Sequence, residues 1–446
     1  MDPQPFRVGI VGLGTVGAAV LDILAQRDGQ LAGRAGRRIE VRAVSARDRA
    51  RDRGHDLSRY RWFDDPVALA RSDEVDAVVE LVGGEDGPAR AVVEAALASG
   101  KHVVTANKAL LAKHGLALAR QAESRNLALA FEASAAGGIP VVKALREGLA
   151  GNAVTRLYGI LNGTCNYILS RMESEGCSFT DCLAAAQRLG YAEADPTFDI
   201  EGHDTAHKLA ILTSLAFGTE IDADAIYVEG ISKITPLDLR MADELGFRIK
   251  LLGVAERVAV LSGAANGVEQ RVHPTMVPKT SAIAQVMGVT NAVTIDADAV
   301  GELTLIGPGA GGPATASAVV ADIADIAAGI VSPPFGQPVR QLEKAERAPM
   351  QRHEGGYYIR LTVHDRPGVA AGVATRMARA NISIESIIQK RPPGADRDKH
   401  GRSGNPVPLV LITYAATEAA IRGALDAIAA DGLVSEPPQV IRIERD

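Results

Sequence analysis

The sequence predicts an α/β protein that begins with a Rossmann-type dinucleotide-binding domain. An apolar strand over residues 6–11 runs directly into a glycine turn, GLGTVG at 12–17, and a helix follows it. Beyond this turn, apolar strands alternate with helical segments, which is typical of parallel βαβ units. The 446 residues exceed one average core, so two or three domains are expected.

The composition excludes several classes of protein. The net charge of −6 is small for this length, and the chain has no basic stretch interleaved with aromatic residues, so no nucleic-acid partner is expected. No apolar run reaches the roughly 18 residues that a membrane helix needs, and no signal-peptide pattern is present. Three cysteines without a CxxC pair predict reduced thiols and a cytoplasmic location.

The first domain is predicted from its strands and from the helices between them. Its strands are short and apolar, as expected for a parallel sheet that is covered on both faces. The predicted strands are 6–11, 39–45, 75–83, 101–107 and 127–134, and the predicted helices between them include 18–27 and 89–100.

Near Glu132 the character of the sequence changes. Residues 136–306 have longer helices and a different set of strands, which predicts a second, α+β domain with a mixed sheet. A glycine loop and a helix at 307–327 suit a return to the first domain, so that domain is predicted to comprise 1–135 and 307–331. The strands predicted in the second domain are 154–164, 249–261 and 271–277.

The C-terminal part is predicted to be a separate unit. Residues 332–354 are rich in proline and charge and are predicted to be a linker that buries little. Strands and helices follow each other as βαββαβ over 355–446, which is typical of a ferredoxin-like unit. A polar insertion at 391–407 separates its two middle strands.

The glycine turn predicts a nucleotide site. Gly12 permits the tight turn, Gly14 lets backbone approach a pyrophosphate, and Gly17 lets the helix pack on the strand. The alternative is a tight strand–helix turn without a ligand. The position of the turn, between the first strand and the first helix, favours the nucleotide.

The end of the second strand bears on the choice of cofactor. An NAD site usually has an acidic residue there, but this strand ends at Ser45, followed by Arg47 and Arg49. A hydroxyl group with two arginines nearby favours NADP(H). Asp48 argues the other way, so NAD(H) stays possible.

Asp204 and Lys208 are the candidates for the chemistry. They are four residues apart and share one face of a helix, and Leu212 and Leu215 continue that stripe, so the lysine points inward or into a cleft. A lysine beside a carboxylate suits acid–base catalysis or stabilisation of an oxyanion. The alternative is an exposed ion pair worth about 0.3–0.5 kcal/mol, and the spacing leaves the two readings nearly even.

Position along the chain bears on three further candidate sites. Lys108 directly follows a parallel strand, at the edge where ligands of open α/β sheets lie, which favours a functional role over a surface lysine. Glu132 precedes a run of small residues that could enclose a cation, although the pattern alone favours a capping or supporting carboxylate. His203 and His207 lack an evident third ligand, so ordinary helical histidines are expected.

Six stretches of the chain carry a resemblance to a known family. They are VGIVGLGTVG, VTANKALLA, FEASAAGGIP, GILNGTCNYIL, YAEADPTFDIEGHDTAHKLAIL and GPGAGGPATASAVVADI. Together they resemble the homoserine dehydrogenase family, in its three-domain bacterial form with a C-terminal ACT domain, over essentially the whole chain. The resemblance implies that 136–306 is a substrate-binding, catalytic and dimerisation domain, and that 355–446 is an ACT regulatory domain.

The resemblance also implies an activity and a set of site residues. The activity is the NAD(P)-dependent interconversion of L-aspartate 4-semialdehyde and L-homoserine, in threonine, methionine and isoleucine biosynthesis. Lys208 is implied to donate the proton, Asp204 to orient the substrate, Glu193 to bind it, and Lys108 to lie between cofactor and substrate. Further cofactor contacts are implied at Leu13, Thr15, Val16 and Gly312.

A structural sodium ion is implied as well. In the family, a side chain matching Glu132 and backbone oxygens matching Ala135, Gly137 and Ile139 hold it. This overturns the interpretation of Glu132 that the pattern alone favours.

The ACT resemblance implies regulation and assembly. L-Threonine is the implied effector, with Asp365, Gly368 and Asn381 as candidate contacts, and a homo-oligomer, a dimer or a tetramer, is implied. A purely structural dimerisation module is the alternative, and the insertion at 391–407 departs from a compact ACT pattern.

Two other functions were considered. Another Rossmann semialdehyde or amino-acid oxidoreductase would leave the stretches LNGTCNYIL and EGHDTAHK unexplained. A non-catalytic sensor of nucleotides and amino acids would be supported by a changed Lys208 or Glu193, and both residues are present.

Overall fold

The N-terminal part of the computed structural model is built on a six-stranded parallel sheet. Its strand order, β3-β2-β1-β4-β5-β6, is that of the Rossmann fold, which confirms the predicted fold class. The structure describes residues 3–258, 267–348, 350, 353–389 and 406–444. The strands are β1 (Phe6–Val11), β2 (Ile39–Ser45), β3 (Arg61–Trp62), β4 (Ala77–Glu80), β5 (His102–Thr105) and β6 (Leu129–Ala130). The helices are α1 (Thr15–Gln26), α2 (Asp28–Ala35), α3 (Pro66–Arg71), α4 (Pro88–Ala98) and α5 (Lys108–Glu123).

The second region forms a mixed sheet with helices packed on it. Strands run in the order β12-β11-β7-β9-β10 with antiparallel neighbours, while β8 pairs with β10 in parallel. The helices are α6 (Val141–Lys143), α7 (Gly163–Glu175), α8 (Phe179–Arg188), α9 (Thr197–Ile200), α10 (His203–Phe217) and α11 (Pro236–Glu244). The strands are β7 (Val154–Ile160), β8 (Tyr227–Val228), β9 (Phe247–Val258), β10 (Gly267–Pro278), β11 (Thr290–Ala297) and β12 (Gly301–Pro308). Residues 259–261 of the predicted strand lie outside the described residues.

Helix α12 (Gly312–Ala327) packs against the first domain. Its Val319 and Ile323 are buried in one apolar cluster with Val8 and Ile10 of β1 and Val20 of α1. This packing supports a discontinuous nucleotide-binding domain. The exact boundaries, at 135, 306 and 331, stay predictions.

The C-terminal unit has the predicted βαββαβ order. Its main strands lie in the sheet order β18-β14-β16-β15 and all pair antiparallel, as in a ferredoxin-like sheet. Its elements are β14 (Glu354–Val363), α13 (Val369–Arg379), β15 (Ile384–Gln389), β16 (Val407–Thr413), β17 (Ala416–Thr417), α14 (Glu418–Ala430) and β18 (Gln439–Ile443), and β13 (Glu346–Arg347) precedes them. Most of the predicted insertion, residues 391–405, lies outside the described residues.

Short helical turns complete the described chain. They connect longer elements, and one of them holds Glu132 directly after the sheet of the first domain. The 3₁₀ turns are Leu57–Arg59, Glu132–Ser134, Ala223–Ala225, Ile283–Gln285 and Val339–Gln341, and a π turn spans Ala144–Gly148. Among the residues described, no helix is long and apolar enough to cross a membrane.

The prediction that 332–354 buries little is wrong. Phe335, Val339 and Leu342 are buried, and the ring of Phe335 lies 5.3 Å from that of Phe131. The segment also contributes β13, which pairs with β10. The prediction was wrong because it was based on the composition of the whole segment, which is rich in proline and charged residues, although three of its apolar side chains pack in the core.

The prediction of three reduced cysteines is also wrong in this structure. Cys177 and Cys182 are joined by a disulfide bond, and only Cys165 is a free thiol. Cys177 follows α7 and Cys182 lies early in α8, so the turn between the two helices brings their Cα atoms to 6.6 Å. A spacing of five residues gave no sign of this turn.

Buried ion pairs join the C-terminal unit to the second domain. Strand β18 pairs with β10, and Arg442 of β18 bonds Glu229 at 2.9 Å and Glu418 at 2.8 Å. Asp238 of α11 is fully buried and accepts hydrogen bonds from Tyr358 at 2.9 Å and Arg360 at 2.7 Å. Because these charges are out of water, each depends on its partners.

The substitution Asp238→Asn should therefore destabilise the fold. It leaves the Arg360 guanidinium buried without its countercharge, and we expect the free energy of unfolding to fall by about 3 kcal/mol. Chemical denaturation measures this. Asp243→Asn on the same helix is the control, because Asp243 is 53% exposed and its pair with Lys279 is worth less than about 1 kcal/mol. Equal losses in the two variants would contradict a stabilising role for the buried pair.

Candidate active site

The glycine turn has the geometry of a dinucleotide site. Gly12 has a φ of +102°, and a Cβ atom there would lie 2.6 Å from the backbone oxygen of Leu81. A Cβ atom on Gly17 would lie 2.1 Å from the backbone oxygen of Gly12, whereas one on Gly14 would meet nothing within 4 Å. The three glycines therefore have the three roles that the pattern predicts: the turn, the helix contact and the open approach for a phosphate.

Two helix N-termini face this turn. Helix α1 begins at Thr15, and no side chain caps it, so its first N–H groups are available to an anion. A Cβ atom on Gly312 would lie 3.0 Å from Thr15 Cγ2, which places the uncapped start of α12 against that of α1. Leu13 is buried beneath the turn and Val16 is half-buried. These positions fit a bound dinucleotide.

The loop after β2 begins beside the same turn, since the backbone oxygen of Ser45 accepts a hydrogen bond from the N–H of Gly12 at 2.9 Å. Ser45 is buried, Arg47 is exposed, and the guanidinium of Arg49 lies 5.7 Å from the ring centroid of Trp62. The Asp48 carboxylate accepts a hydrogen bond from the backbone N–H of Ala50 at 2.8 Å, so one of its oxygens is engaged in a local turn.

Arg53 ties this loop to the glycine turn. Its guanidinium donates to the backbone oxygen of Leu13 at 3.1 Å, of Arg51 at 2.8 Å and of Asp48 at 2.6 Å. Sequence reasoning missed Arg53, because nothing in a run of arginines distinguishes the one that turns back onto the backbone.

Asp204 lies between two lysines. Its carboxylate is 2.7 Å from Lys208 Nζ and 3.0 Å from Lys108 Nζ, and the residue is only 4% exposed. Lys208 is on the same helix, α10, whereas Lys108 begins α5 of the first domain. The alternative of an exposed surface pair is therefore wrong, and the two domains meet at this carboxylate.

Lys208 has one N–H group left for a ligand. Its ammonium donates to Asp204 at 2.7 Å and to the backbone oxygen of Leu161 at 2.7 Å. An ammonium group has three donors, so a third can point into the cavity. The two protein contacts fix the direction of that third donor.

Asn162 organises the acids of this centre. Its side-chain oxygen caps α7 by accepting from the N–H of Cys165 at 2.8 Å, and its amide nitrogen donates to Asp199 and Asp204, both at 2.8 Å. Sequence reasoning missed this residue and considered NGT only as a glycosylation pattern. An asparagine between a strand and a helix was the available signal.

The charges shift each other's pKa values. Burial alone would raise the pKa of Asp204, but Lys208 and Lys108 outweigh burial and hold it well below its usual range. Burial would lower the pKa of Lys108, and the charge of Asp204 reverses this and raises it. Burial, and then the charge of Asp204, raise the pKa of Asp199. The centre therefore holds an ionised Asp204 carboxylate beside an ionised Lys108.

A cavity of about 760 Å³ opens over this centre. The glycine loop before α12 forms one wall, so the cavity is shared by the nucleotide-binding and second domains. Its lining includes Lys108, Asn162, Thr164, Tyr191, Asp199, Asp204, Lys208, Thr290 and Gly307 to Gly311. Glu193 lies outside this lining, in the exposed loop between α8 and α9, although its charge helps to raise the pKa of Lys108.

Comparison with known proteins identifies the family. A homoserine dehydrogenase of Pseudomonas aeruginosa is 45% identical over 450 residues, which cover 99% of this chain and 99% of that protein. The chain belongs to the homoserine dehydrogenase family. Family models named "Homoserine dehydrogenase, NAD binding domain", "Homoserine dehydrogenase" and "ACT domain" match residues 12–132, 140–324 and 357–403. It is thus an NAD(P)-dependent oxidoreductase with an ACT domain.

Solved structures agree with this assignment. A homoserine dehydrogenase from Thiobacillus denitrificans has a TM-score of 0.90 at 43% identity, over 99% of this chain and 98% of that chain. A hyperthermophilic archaeal homoserine dehydrogenase in complex with NADPH has a TM-score of 0.60 at 27% identity, over 72% of this chain and 97% of that chain.

Glu132 is buried directly after the sheet of the first domain. Its carboxylate accepts hydrogen bonds from the N–H groups of Val142 at 2.9 Å and Lys143 at 2.8 Å, as a capping carboxylate does. Burial, and then the charge of Asp322, raise its pKa to about 7. A buried acid next to another acid is an environment that a cation would stabilise.

The other residues implied for the sodium site form a bend beside Glu132. Ala135 and Ile139 are buried, and Gly137 has a φ of +52°. A Cβ atom on Gly137 would lie 2.3 Å from the backbone oxygen of Gly309, so this bend packs on the glycine loop of the cavity. In the part of the chain that is described, no cluster of three metal-ligating side chains occurs, so His203 and His207 gain no third ligand.

The candidate effector residues lie at the two ends of α13. Gly368, with a φ of +90°, precedes the helix without a side-chain cap, and Asn381, with a φ of +57°, follows it. Asp365 lies 3.5 Å from the side-chain nitrogen of Gln389 on β15. Asp365 and Gly368 therefore lie near the start of α13, and Asn381 lies just after its end.

The stability of the protein should depend on Asp204 in a pH-dependent way. Because its folded pKa lies below the ordinary 3.8, its ionised form stabilises the fold above that pH, and this contribution is lost as the pH falls further. Asp204→Asn should therefore lower the free energy of unfolding by about 3 kcal/mol at neutral pH. Denaturation at neutral and acidic pH measures the difference in the free energy of unfolding between wild type and the variant, and this difference should become smaller below pH 3.8. A difference that is independent of pH would contradict the ion-pair account.

Proposed function

We propose that this enzyme interconverts L-aspartate 4-semialdehyde and L-homoserine with NADP(H) as the preferred cofactor. The observation that carries the proposal is the buried Asp204 between Lys108 and Lys208, in a cavity bordered by the glycine loop. The family assignment supplies the reaction class. Threonine, methionine and isoleucine biosynthesis, in the cytoplasm, is the proposed setting.

Lys208 is the proposed proton donor. When bound, the nicotinamide supplies or accepts the hydride. As hydride reaches the aldehyde carbon, negative charge develops on the carbonyl oxygen, and an ammonium group directed at that oxygen stabilises it and then gives up its proton. The contacts with Asp204 and Leu161 hold Lys208 in place for this step. In the oxidation of homoserine, the same amine takes the hydroxyl proton.

Acidic residues are the proposed partners of the substrate ammonium group. Asp204 orients the substrate, and Glu193 binds it through that group. Glu193 is exposed in the loop that leads to α9, so closure of this loop over the cavity would bring it to the substrate. Lys108 lies between the cofactor cleft and this charged centre.

NADP(H) is the preferred cofactor in this proposal, with NAD(H) possible. Arg47 and Arg49 follow β2 where the 2′-phosphate of NADP would lie, and the acid that argues against it, Asp48, is engaged in its own turn. The archaeal relative whose structure was solved with NADPH supports the same choice.

We also propose a structural sodium ion beside Glu132, held with the backbone oxygens of Ala135, Gly137 and Ile139. Its support is the burial of Glu132 beside a second buried acid, Asp322, which together raise the pKa of Glu132. The ion would stabilise the bend that packs on the glycine loop rather than take part in the reaction.

Regulation by L-threonine through the ACT domain completes the proposal. Asp365, Gly368 and Asn381 are the proposed contacts, because the uncapped N–H groups at the start of α13 suit an amino-acid carboxylate. The family assignment supports a homo-oligomer, a dimer or a tetramer.

Oxidation of L-homoserine with NADP⁺ and with NAD⁺, with and without L-threonine, tests the proposal. Wild type should turn over faster with NADP⁺ and slow when threonine is added. Lys208→Ala should lower kcat by about 10²–10⁴-fold, because it removes the general acid–base group. Cofactor reduction, followed by absorbance, measures each rate.

The control is Lys279→Ala, which removes a lysine that does not line the cavity and pairs with the exposed Asp243, so kcat should stay unchanged. No turnover of wild type with either cofactor would refute the proposed reaction. Nearly full activity in Lys208→Ala would refute the proposed role of Lys208 but not the proposed reaction.

The sodium site has a test in stability. Since the pKa of Glu132 is raised to about 7, folding disfavours its ionised form, and stability should fall as pH rises from the ordinary 4.5 towards 7. Sodium should reverse this loss above pH 7. At one pH unit above that pKa, the thermal unfolding midpoint of wild type should therefore be higher in sodium chloride than in choline chloride. The midpoint of Glu132→Gln should be the same in both salts. A midpoint that is indifferent to sodium in wild type would contradict the site.

A further inference from the structure

A buried carboxylate that the reaction does not use lies at the carboxyl end of β4. Glu80 is 0% exposed. One of its oxygens accepts hydrogen bonds from the N–H groups of Val82 at 2.7 Å and Gly83 at 3.0 Å, and the other accepts from the hydroxyl of Thr105 at 2.7 Å. Glu80 thus joins the ends of two neighbouring parallel strands.

Thr105 passes this contact on to the start of α5. Its hydroxyl accepts from the backbone N–H of Asn107 at 3.0 Å. The Asn107 side chain then caps α5 through the N–H of Leu110 at 3.1 Å and donates to the backbone oxygen of Gly84 at 2.7 Å. Lys108 is the first residue of that helix, so its backbone is fixed by this network.

The network also fixes a loop beside the cofactor cleft. Residues 82–84 follow Leu81, whose backbone oxygen would be 2.6 Å from a Cβ atom on Gly12 of the glycine turn. Gly83 and Gly84 have φ values of +82° and +89°, which favour glycine, and the hydrogen bonds with Glu80 and Asn107 hold the loop in this conformation.

We propose that Glu80 and Thr105 are positioning residues for the reaction, which set the place of Lys108 and of the 82–84 loop relative to the cofactor. Neither side chain lines the cavity, so both act through their neighbours. The inference rests on the proposed function, because it deepens the role of Lys108 in that reaction.

The distance between Lys108 and Asp204 makes this placement matter. Lys108 Nζ and Asp204 Oδ1 are 3.0 Å apart and belong to different domains, so a shift of about 1 Å at the start of α5 would break the contact. Misplacement of that size can lower a rate by as much as about 10²-fold. A hydrogen-bond network of neutral and charged groups at the strand ends holds the helix start against such a shift.

Thr105→Val tests the proposal, since it keeps the shape of the side chain and removes both hydrogen bonds. We expect kcat for L-homoserine oxidation to fall about tenfold, and the Kd for NADPH, from fluorescence titration, to rise severalfold. Thr105→Ser should restore both values. Glu80→Gln is a second variant, which leaves an amide NH₂ facing either Thr105 or the 82–83 amides, and it should show the same pattern.

Thr213→Val is the matched control. Thr213 is equally buried, and its hydroxyl has no hydrogen-bond partner in the described structure, so kcat and Kd should stay at the wild-type values. The proposal is overturned if Thr105→Val and Glu80→Gln change only the thermal midpoint and keep wild-type kcat and Kd. Absence of turnover in wild type would refute the proposed reaction instead, and the NADPH titration would still decide the role of the loop.

Discussion

The structure depends on a carboxylate that cannot be buried alone. Asp204 is almost without contact with water, and an isolated charge in that position would be strongly unfavourable. Lys208 from its own helix, Lys108 from the other domain and the amide of Asn162 make the position favourable. Each partner is in turn held by its own element, so the charged centre can form only when both domains are in place.

This requirement links the chemistry to the fold. The parallel sheet ends at an edge where the glycine turn and the start of α5 lie together, and the helix N-termini at Thr15 and Gly312 face the same edge. The second domain brings Lys208 to that edge with one donor unused. A cofactor at the helix N-termini and an amino acid over Lys208 would thus meet in one cavity beside the buried Asp204, where charge–charge interactions are strong.

Local patterns predicted much of this molecule, because they report local physics. Neighbouring residues predicted the glycine turn between the first strand and helix, the parallel sheet and the βαββαβ order. All three predictions are confirmed. The buried Phe335 and the disulfide between Cys177 and Cys182 were predicted wrongly, since each depends on where distant or turned segments meet. Arg53 was missed for the same reason, whereas Asn162 had a local signal, its position between a strand and a helix. The spacing of Asp204 and Lys208 and the position of Lys108 after a strand were visible in the sequence, but the contact between Lys108 and Asp204 was not, because it joins two domains.

A double-mutant cycle tests the central claim, that Asp204 and Lys108 work as one unit across the domain boundary. The measurement is kcat/KM for Asp204→Asn, Lys108→Met and the double variant. If the two residues act as one unit, the double variant loses little more activity than the more damaging single variant. Losses that multiply fully would show that the two side chains act independently and would contradict the account.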